Sequence, residues 1–342
     1  MRGFSLLVKP AGDSCNLACP YCFYRGHGEG GAARRMSEEM LAHLLTTYRA
    51  LPIASHDVAF QGGEPLLMGE NFFRRAAEIG EGINFSVQTN ATLVTASMAK
   101  FFAEADWLVG VSPHWEGLEE KKEGGSRKEE VWNFKTPYFI LHPSSFILSE
   151  GLGEKGYWEL VKAGVKTNIL QLVTKENVGE PEKLYHYLRD ELKCNWQQYI
   201  ECTAPAAFAI TGEEWGEFLC RLFDVWKAEG DERRVSIRLF DSIVSQLVHG
   251  VPTMCNFARD CRNYLVVEAN GDVYPCDFHV LPEFRLGNIL VDSWEKLIAS
   301  PRYTAFGERK RAFPDCPRNR GTLDKGWQRF FAHAVPYLKS LV

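Results

Sequence analysis

Short apolar runs alternate with amphipathic stretches over the first two thirds of the chain. The apolar runs predict six β-strands, at 4–8, 57–60, 83–87, 107–112, 167–173 and 197–202. Apolar positions between them recur at helical spacing, which predicts helices at 37–48, 72–79, 95–102, 157–163 and 181–188. Such alternation is typical of βαβ units around a parallel sheet. Six units are too few for a closed eight-stranded barrel, so we expect an α/β fold with an open, partial (β/α)6 TIM-like barrel.

The pattern changes after a further helix expected at 213–227. Residues 264–268 and 273–276 are predicted strands on either side of Ala269-Asn270-Gly271-Asp272, and Asn-Gly is a strong hairpin signal. A two-residue turn at that dipeptide would place Cys276 opposite Leu265. We therefore expect a barrel domain over 1–235 and a small second domain over 236–342.

One segment of the barrel region does not follow the alternation. Residues 116–130 are nearly all charged residues and glycine, and residues 131–148 are apolar without a clear partner. We interpret 116–150 as an insertion or a replaced segment, and we expect poor order there.

Composition excludes several functional classes. The chain has 342 residues, of which 45% are apolar, enough for a sizeable core. Its formal charge is −5 with acids and bases intermixed, so no basic block predicts nucleic-acid binding. No apolar run reaches membrane-spanning length, so no membrane contact is expected. Ten cysteines without a recognisable secretion signal favour a cytoplasmic location and metal ligation over disulfides.

Three of the cysteines form a C-x-x-x-C-x-x-C run directly after the first predicted strand: Cys15, Cys19 and Cys22. Three thiolates can hold a [4Fe-4S] cluster by three of its irons, which leaves the fourth iron open to a small molecule. Zinc, a disulfide framework and chance are the alternatives. Zinc sites usually use two paired C-x-x-C units, and this region has one.

Polar or glycine-rich segments also end the next three predicted strands. They are Gly62-Gly63-Glu64-Pro65, Gln88-Thr89-Asn90 and Ser112. Glycine lets the backbone approach a ligand closely, and the Glu64 carboxylate can accept a hydrogen bond from an ammonium group. Ordinary turns are the alternative for the first two segments.

The cysteine run, with Tyr21 inside its last C-x-x-C, resembles the radical S-adenosylmethionine (SAM) superfamily. That resemblance implies a [4Fe-4S] cluster on Cys15, Cys19 and Cys22, with SAM bound to it. It also implies SAM-binding or cofactor-binding roles for a set of strand-end residues: Tyr21, Gly62, Gly63, Glu64, Gln88, Asn90 and Ser112.

The second region resembles the SPASM extension of radical SAM maturases. The chain is most similar to anaerobic sulfatase-maturating enzymes, which convert a cysteine or serine of a sulfatase into formylglycine. In that family the aspartate after the hairpin cysteine is the proposed base, which matches Asp277 here. A polar residue that completes a turn is the alternative interpretation of Asp277.

The extension normally holds two auxiliary clusters, but this chain lacks most of the later cysteines. Four thiolates suffice for one [4Fe-4S] cluster and not for two. The resemblance thus implies a truncated SPASM-like domain with one auxiliary [4Fe-4S] cluster, on Cys255, Cys261, Cys276 and Cys316. In the alternative, Cys316 is not a ligand and neither auxiliary cluster forms.

The expected function is therefore a radical SAM oxidoreductase that oxidises a Cys or Ser of a sulfatase to formylglycine. A maturase of another ribosomal peptide, or a degenerate cluster-binding protein without catalysis, are the alternatives. The expected partners are a peptide or protein substrate and a reductant such as flavodoxin or ferredoxin. The open iron–sulfur chemistry also favours an anaerobic setting.

Overall fold

The computed structural model describes residues 3–24, 35–112, 150–312, 316 and 321–342. Its strands are β1 Ser5–Lys9, β2 Asp57–Phe60, β3 Asn84–Thr89, β4 Leu108–Val111, β5 Lys166–Val173, β6 Trp196–Glu201, β7 Ser236–Ile237, β8 Tyr264–Glu268, β9 Asp272–Tyr274 and β10 Gly287–Asn288. Its α-helices are α1 Glu38–Arg49, α2 Glu70–Ile79, α3 Ala96–Glu104, α4 Glu150–Lys162, α5 Pro181–His186, α6 Gly212–Ala228, α7 Arg238–His249, α8 Trp294–Ile298, α9 Pro301–Glu308 and α10 Asp324–Ser340.

The described strands form one ten-stranded sheet in the order β10-β9-β8-β1-β2-β3-β4-β5-β6-β7. Strands β1 to β7 are parallel to their neighbours, and β8 is parallel to β1. The end strands β7 and β10 do not pair with each other, so the predicted open, partial barrel is confirmed. Because the carboxyl ends of parallel strands share one edge, the segments after β1, β2, β3 and β4 converge there.

The sheet continues across the domain boundary that the sequence predicts at 235/236. Strand β7 pairs with β6, and helix α7 packs on the same strand. With two residues, β7 is too short to show a strand period in the sequence. The predicted second domain therefore contributes strands to both ends of the barrel sheet.

The hairpin forms where predicted, but its register differs by one residue. Val266 pairs with Tyr274 and Val267 with Val273, which puts Cys276 opposite Tyr264 and not opposite Leu265. The loop contains three residues, 269–271. Gly271 has a φ of +85° and Asn270 does not adopt a positive φ, as in three-residue hairpins that end in a left-handed glycine.

The C-terminal helix α10 packs against α6 and α7. Its approach to α6 is close, since a Cβ atom added to Gly326 would lie 2.1 Å from the carbonyl oxygen of Gly212. A capping box between Thr211 and Glu214 fixes the start of α6 at this crossing. The end of the chain thus supports the barrel rather than extending the SPASM-like hairpin.

Two sequence predictions concern regions or properties outside the site. The segment predicted as an insertion, 116–150, lies outside the described residues except for Glu150, which begins α4. Among the helices of the described ranges, none combines the length and the apolar character needed to cross a membrane.

Candidate active site

The loop after β1 carries the three clustered cysteines. Cys15 and Cys22 are exposed and Cys19 is half-buried. The N–H of Leu17 donates to the Sγ of Cys15 at 3.4 Å, and the N–H of Cys22 donates to the carbonyl of Cys19 at 3.2 Å. Burial raises the pKa of the Cys15 thiol. Three thiols on one short loop are a donor set that fits a site-differentiated [4Fe-4S] cluster.

The β3–α3 loop holds the cysteine loop in place through side-chain hydrogen bonds. The side-chain amide of Asn90 donates to Asn16 Oδ1 at 3.0 Å, and Asn16 Nδ2 donates to Thr92 Oγ1 at 2.7 Å. Asn90 Nδ2 also lies 3.9 Å from Cys15 Sγ. The rings of Tyr21 and Phe208 make a T-shaped contact, with 5.7 Å between ring centroids. Asn90 therefore lies against the cysteine loop, of which Tyr21 is a part, and the contact of both residues with SAM stays a prediction.

The backbone of the two glycines after β2 packs closely against the start of the cysteine loop. The N–H of Gly63 donates to the carbonyl of Gly12 at 2.8 Å, and the N–H of Glu64 donates to that of Ser14 at 2.7 Å. Gly62 has a φ of +132°, and a Cβ on Gly63 would lie 1.8 Å from the Ser14 carbonyl oxygen. Close approach of backbone is the predicted property of these glycines, but here the approaching partner is the cysteine loop itself.

Glu64 is buried, with 1% of its surface exposed. Its carboxylate accepts hydrogen bonds from the Leu66 N–H at 2.9 Å, Thr89 Oγ1 at 2.7 Å and the Asn90 N–H at 2.9 Å. Burial raises the pKa of the Glu64 carboxyl, and these donors oppose that effect. Glu64 thus joins the ends of β2 and β3, a structural role that the sequence did not reveal. Its predicted contact with the SAM ammonium remains untested.

The predicted residues at the ends of β3 and β4 lie together. Gln88 Nε2 donates to Ser112 Oγ at 3.2 Å, and the Ser112 N–H donates to the Thr89 carbonyl at 2.9 Å. Both side chains belong to the same edge of the sheet as the cysteine loop. The residues that follow Ser112 in the sequence lie outside the described part.

The four cysteines of the second region influence one another electrostatically. Burial raises the pKa of Cys255 to about 12 and of Cys261 to about 11, and the Cys316 thiol adds to both shifts. Burial also raises the pKa of Cys276, with a smaller contribution from Cys316. Cys316 thus acts electrostatically on all three predicted partners, and the grouping of the four cysteines around one cluster stays a prediction. Within the described ranges, no three His, Cys, Asp or Glu side chains converge tightly enough for a single metal ion.

Asp277 connects this region to the barrel. It is 9% exposed, and its carboxylate accepts from Tyr264 Oη at 2.9 Å and from Gln61 Nε2 at 3.2 Å. Gln61 directly precedes Gly62, so Asp277 lies beside the glycines that hold the cysteine loop. Asp277 is thus brought to the carboxyl end of β2, beside the cysteine loop, while Cys276 lies opposite Tyr264 at the start of β8.

Comparison with known proteins agrees with this arrangement. A model of the radical SAM superfamily matches residues 10–135, and a model of SPASM, an iron–sulfur cluster-binding domain, matches residues 255–318. A serine-type anaerobic sulfatase-maturating enzyme of Bacteroides thetaiotaomicron is 30% identical over 97% of this chain and 90% of its own length. The chain belongs to the family of anaerobic sulfatase-maturating enzymes. It is therefore a radical SAM oxidoreductase, whose cofactors are a [4Fe-4S] cluster with SAM and SPASM-bound iron–sulfur.

Two further matches support membership in the sulfatase-maturating family. A cysteine-type anaerobic sulfatase-maturating enzyme of Clostridium perfringens is 33% identical over 84% of this chain and 78% of its own length. The solved structure of native anSMEcpe with bound AdoMet and the Kp18Cys peptide has a TM-score of 0.83 and 28% identity, and covers 99% of this chain and 98% of that one.

The sequence did not reveal a buried lysine at the end of β1, next to the cysteine loop. Lys9 ends β1, is 1% exposed, and places its Nζ 3.7 Å from the centroid of the Tyr24 ring. Burial lowers the pKa of Lys9, and the charges of Asp277 and Glu268 oppose that effect, followed by Cys276 and Cys22. Lys9 is therefore within electrostatic reach of one cysteine from each group, Cys276 and Cys22. A charged residue closing an apolar strand, Leu6-Leu7-Val8-Lys9, is the sequence signal that could have identified it.

Tyr24 and Glu268 complete the surroundings of Lys9. Tyr24 Oη donates to the Glu268 carboxylate, with oxygen–oxygen distances of 2.6 and 2.7 Å. Glu268 ends β8, the strand that pairs with β1, so this contact depends on a long-range strand pairing. The pair holds a negative charge beside Lys9, which offsets part of the cost of burying that lysine.

Gly63→Ala is expected to remove the barrel cluster. The added Cβ overlaps the Ser14 carbonyl oxygen, so the loop that presents Cys15 must move. Reconstituted iron should fall from about 8 to about 4 atoms per chain, measured by anaerobic iron analysis. Gly179→Ala is the matched control, since a Cβ there meets no atom within 4 Å. Parental iron content in the Gly63→Ala variant would show that the close contact is dispensable.

Proposed function

We propose that this chain oxidises a cysteine or serine side chain of a sulfatase-derived peptide to formylglycine, with Asp277 as the base. The observation that carries this proposal is the Gln61–Asp277 hydrogen bond of 3.2 Å. It brings a SPASM carboxylate to the β2 end, next to the loop of Cys15, Cys19 and Cys22. The family relationship and the peptide in the related solved structure support a peptide substrate.

The oxidation must remove a hydrogen atom, a proton and an electron from the target side chain. When bound, the barrel cluster and SAM supply a 5′-deoxyadenosyl radical that takes the hydrogen atom from Cβ. Asp277 then accepts the proton of the side-chain thiol or hydroxyl, and an auxiliary cluster held by Cys255, Cys261, Cys276 and Cys316 would supply the acceptor for the remaining electron. Hydrolysis of the resulting thioaldehyde releases hydrogen sulfide and leaves formylglycine, whereas a serine gives the aldehyde directly.

The contacts of Asp277 suit a proton acceptor. Tyr264 and Gln61 hold the carboxylate in one orientation, since Oδ1 accepts from Tyr264 and from the Cys276 thiol at 3.7 Å, whereas Oδ2 accepts from Gln61. The Asp277 charge raises the pKa of Lys9 against the effect of burial, so the ammonium lies within electrostatic reach of the carboxylate. Asp277 is thus oriented by the barrel and ready to accept a proton.

The cofactor assignments follow the same arrangement. We assign Cys15, Cys19 and Cys22 to the SAM-binding cluster and Cys255, Cys261, Cys276 and Cys316 to one auxiliary cluster. The SAM-binding surface is assigned to strand-end residues around the cysteine loop: Tyr21, Gly62, Gly63, Glu64, Gln88, Asn90 and Ser112. Because the chain has cysteines for one auxiliary cluster, its electron must leave from that cluster to an external acceptor.

The proposed setting is a reducing, oxygen-poor cytoplasm with flavodoxin or ferredoxin as the electron donor. All ten cysteines lie in the described part, and no two of them form a disulfide. Exposed thiols at Cys15 and Cys22 are suited to cluster assembly only where oxygen does not compete.

A peptide panel tests the substrate. The reconstituted protein, SAM and dithionite are incubated without oxygen with a sulfatase-motif peptide that carries Cys, Ser or Ala at the target position. We expect formylglycine by mass spectrometry from the Cys peptide, the Ser peptide or both, and none from the Ala peptide. SAM cleavage without formylglycine from either peptide would favour a maturase of another peptide, and absence of SAM cleavage would favour a non-catalytic cluster protein.

A further inference from the structure

The two faces of strand β6 differ in what they contact. Tyr199 packs against Phe218 of helix α6, with 5.6 Å between ring centroids. Side chains alternate between the two faces of a strand, so Trp196 and Gln198 lie on the face turned away from the helices. Gln198 therefore faces the concave interior of the partial barrel.

The same inner face carries the predicted SAM-binding residues at the ends of β3 and β4. Gln88 is paired with Gly110 of β4, and a Cβ added to Gly110 would lie 2.7 Å from Leu170 Cδ1 on β5. Leu170 is in turn paired with Gln198 of β6. Because paired residues of neighbouring strands project to one face, this face is continuous from Gln88 to Gln198.

Arg238 ends the inner face at the open edge of the barrel. It follows the two-residue strand β7, whose Ile237 is paired with Gln197, so Arg238 lies beside Gln198. Its Nη1 donates to Gln198 Oε1 at 2.8 Å. The side chain is exposed to solvent, yet burial lowers its pKa. Both properties are expected of an arginine that lines a concave, open surface.

The Arg238 guanidinium is available to a ligand. Within the described ranges its side chain is hydrogen-bonded to Gln198 and forms no ion pair with a carboxylate. Asp241, one turn further along α7, accepts instead from Ser236 Oγ. A guanidinium carries several N–H donors in a fixed fork, and one of them is used by Gln198. The others can donate to oxygen atoms of a bound molecule.

An exposed tryptophan lies beside Arg238. Trp196 begins β6, two residues before Gln198, and 46% of its surface is exposed. It is paired with Ser236, which precedes Arg238 by two positions and shares its face. Tryptophan and arginine are the residue types that most often contribute large binding energies at interfaces. Trp196 and Arg238, together called the edge site below, thus combine an apolar ring with N–H donors on one face.

We propose that the edge site is a second contact site for the peptide substrate. Arg238 donates to backbone carbonyl oxygens of the peptide, and the Trp196 ring packs against an apolar part of it. This inference rests on the proposed oxidation of a sulfatase peptide. It supplies binding energy and takes no part in the chemistry.

The edge site contacts residues of the peptide that are distant from the target side chain. Strand β2, whose end lies beside Asp277, is five strands away from β7 in the sheet. At the usual strand spacing this path measures about 24 Å along the curved sheet. An extended peptide covers it in about seven residues. The two sites therefore bind different parts of one peptide chain.

The test measures peptide binding without turnover. Reconstituted full-length protein with SAM, and without dithionite, is titrated anaerobically into a fluorescein-labelled sulfatase-motif peptide with Ala at the target position. Fluorescence anisotropy gives the dissociation constant. The variants are Trp196→Ala and Arg238→Gln, which keeps an N–H donor for Gln198. Arg75→Gln is the matched control, because the Arg75 side chain is 50% exposed and lies on helix α2.

We expect Arg238→Gln and Trp196→Ala each to weaken peptide binding about tenfold. SAM affinity and iron content, measured on the same preparations, should stay at the parental level, and Arg75→Gln should bind the peptide as the parent does. With a Cys peptide, KM should rise by the same factor while kcat is retained. Parental peptide affinity in either variant would overturn the proposal. Loss of SAM affinity or iron in both variants would assign these residues to cofactor binding and also overturn it.

The outcome for the parent separates this inference from the proposed function. A parent that binds no sulfatase-motif peptide would reject the proposed substrate, and the edge site with it. A parent that binds the peptide, together with variants that bind it equally well, would reject the edge site alone and leave the proposed oxidation in place.

Discussion

Asp277→Asn is expected to reduce formylglycine formation by at least about 100-fold, the effect typical of losing a positioned base. The asparagine oxygen can still accept from Tyr264, and the Gln61 amide can rotate to offer its oxygen, so the site should stay assembled. SAM cleavage should continue, because the cysteine loop and the ends of β1 to β4 are unchanged. The measurement is the ratio of formylglycine to 5′-deoxyadenosine in anaerobic reactions with a Cys-containing peptide.

A control variant and a stability measurement show whether the loss of activity in Asp277→Asn comes from the missing base. Asp106→Asn is the matched control, because the Asp106 side chain is 74% exposed and pairs with Lys166 on the surface. Thermal melting of both variants identifies any loss that comes from unfolding. If Asp277→Asn produced formylglycine within about threefold of the parent, a base at this position would be unnecessary.

Cys316→Ala is expected to remove the auxiliary cluster while leaving the barrel cluster in place. Iron should fall from about 8 to about 4 atoms per chain, because three remaining thiolates leave the cubane without its fourth ligand. Formylglycine should be lost, since the substrate's electron then has no acceptor in the chain. SAM cleavage should persist. Anaerobic iron analysis and product analysis on the same preparation measure both effects.

The control for Cys316 is a cysteine from the core. Cys220→Ala removes a thiol that is 6% exposed on helix α6, and it should keep about 8 irons. A parent protein with about 4 irons, or a Cys316→Ala variant that retains about 8, would show that Cys316 does not complete a cluster.

Local sequence patterns predict much of this fold. The strand expected at 57–60 is β2 itself, and Ser37 accepts a hydrogen bond from Met40 at 3.2 Å as the N-cap of α1. These features depend on hydrophobic periodicity and helix capping, which are determined by residues close together in the sequence. The strand-end position of the cysteine run follows from the same local information.

The long-range features were not predictable in the same way. The pairing of β8 with β1 brings Glu268 to Tyr24 and Lys9, and no local pattern specifies that neighbour. The hairpin register depended on whether Asn270 adopts a positive φ, and a shift of one residue moves Cys276 from Leu265 to Tyr264. The sequence does not distinguish Lys9 from an exposed lysine, because the groups that surround it come from distant parts of the chain.

The most direct test of the account follows one hydrogen atom. A sulfatase-motif peptide in which both hydrogens on the Cβ of the target cysteine are replaced by deuterium is incubated anaerobically with reconstituted protein, SAM and dithionite. We predict deuterium in the 5′-deoxyadenosine, together with a deuterated formylglycine aldehyde. 5′-Deoxyadenosine that contains no deuterium, with the peptide unchanged, would contradict the conclusion that this chain oxidises a peptide cysteine at Cβ.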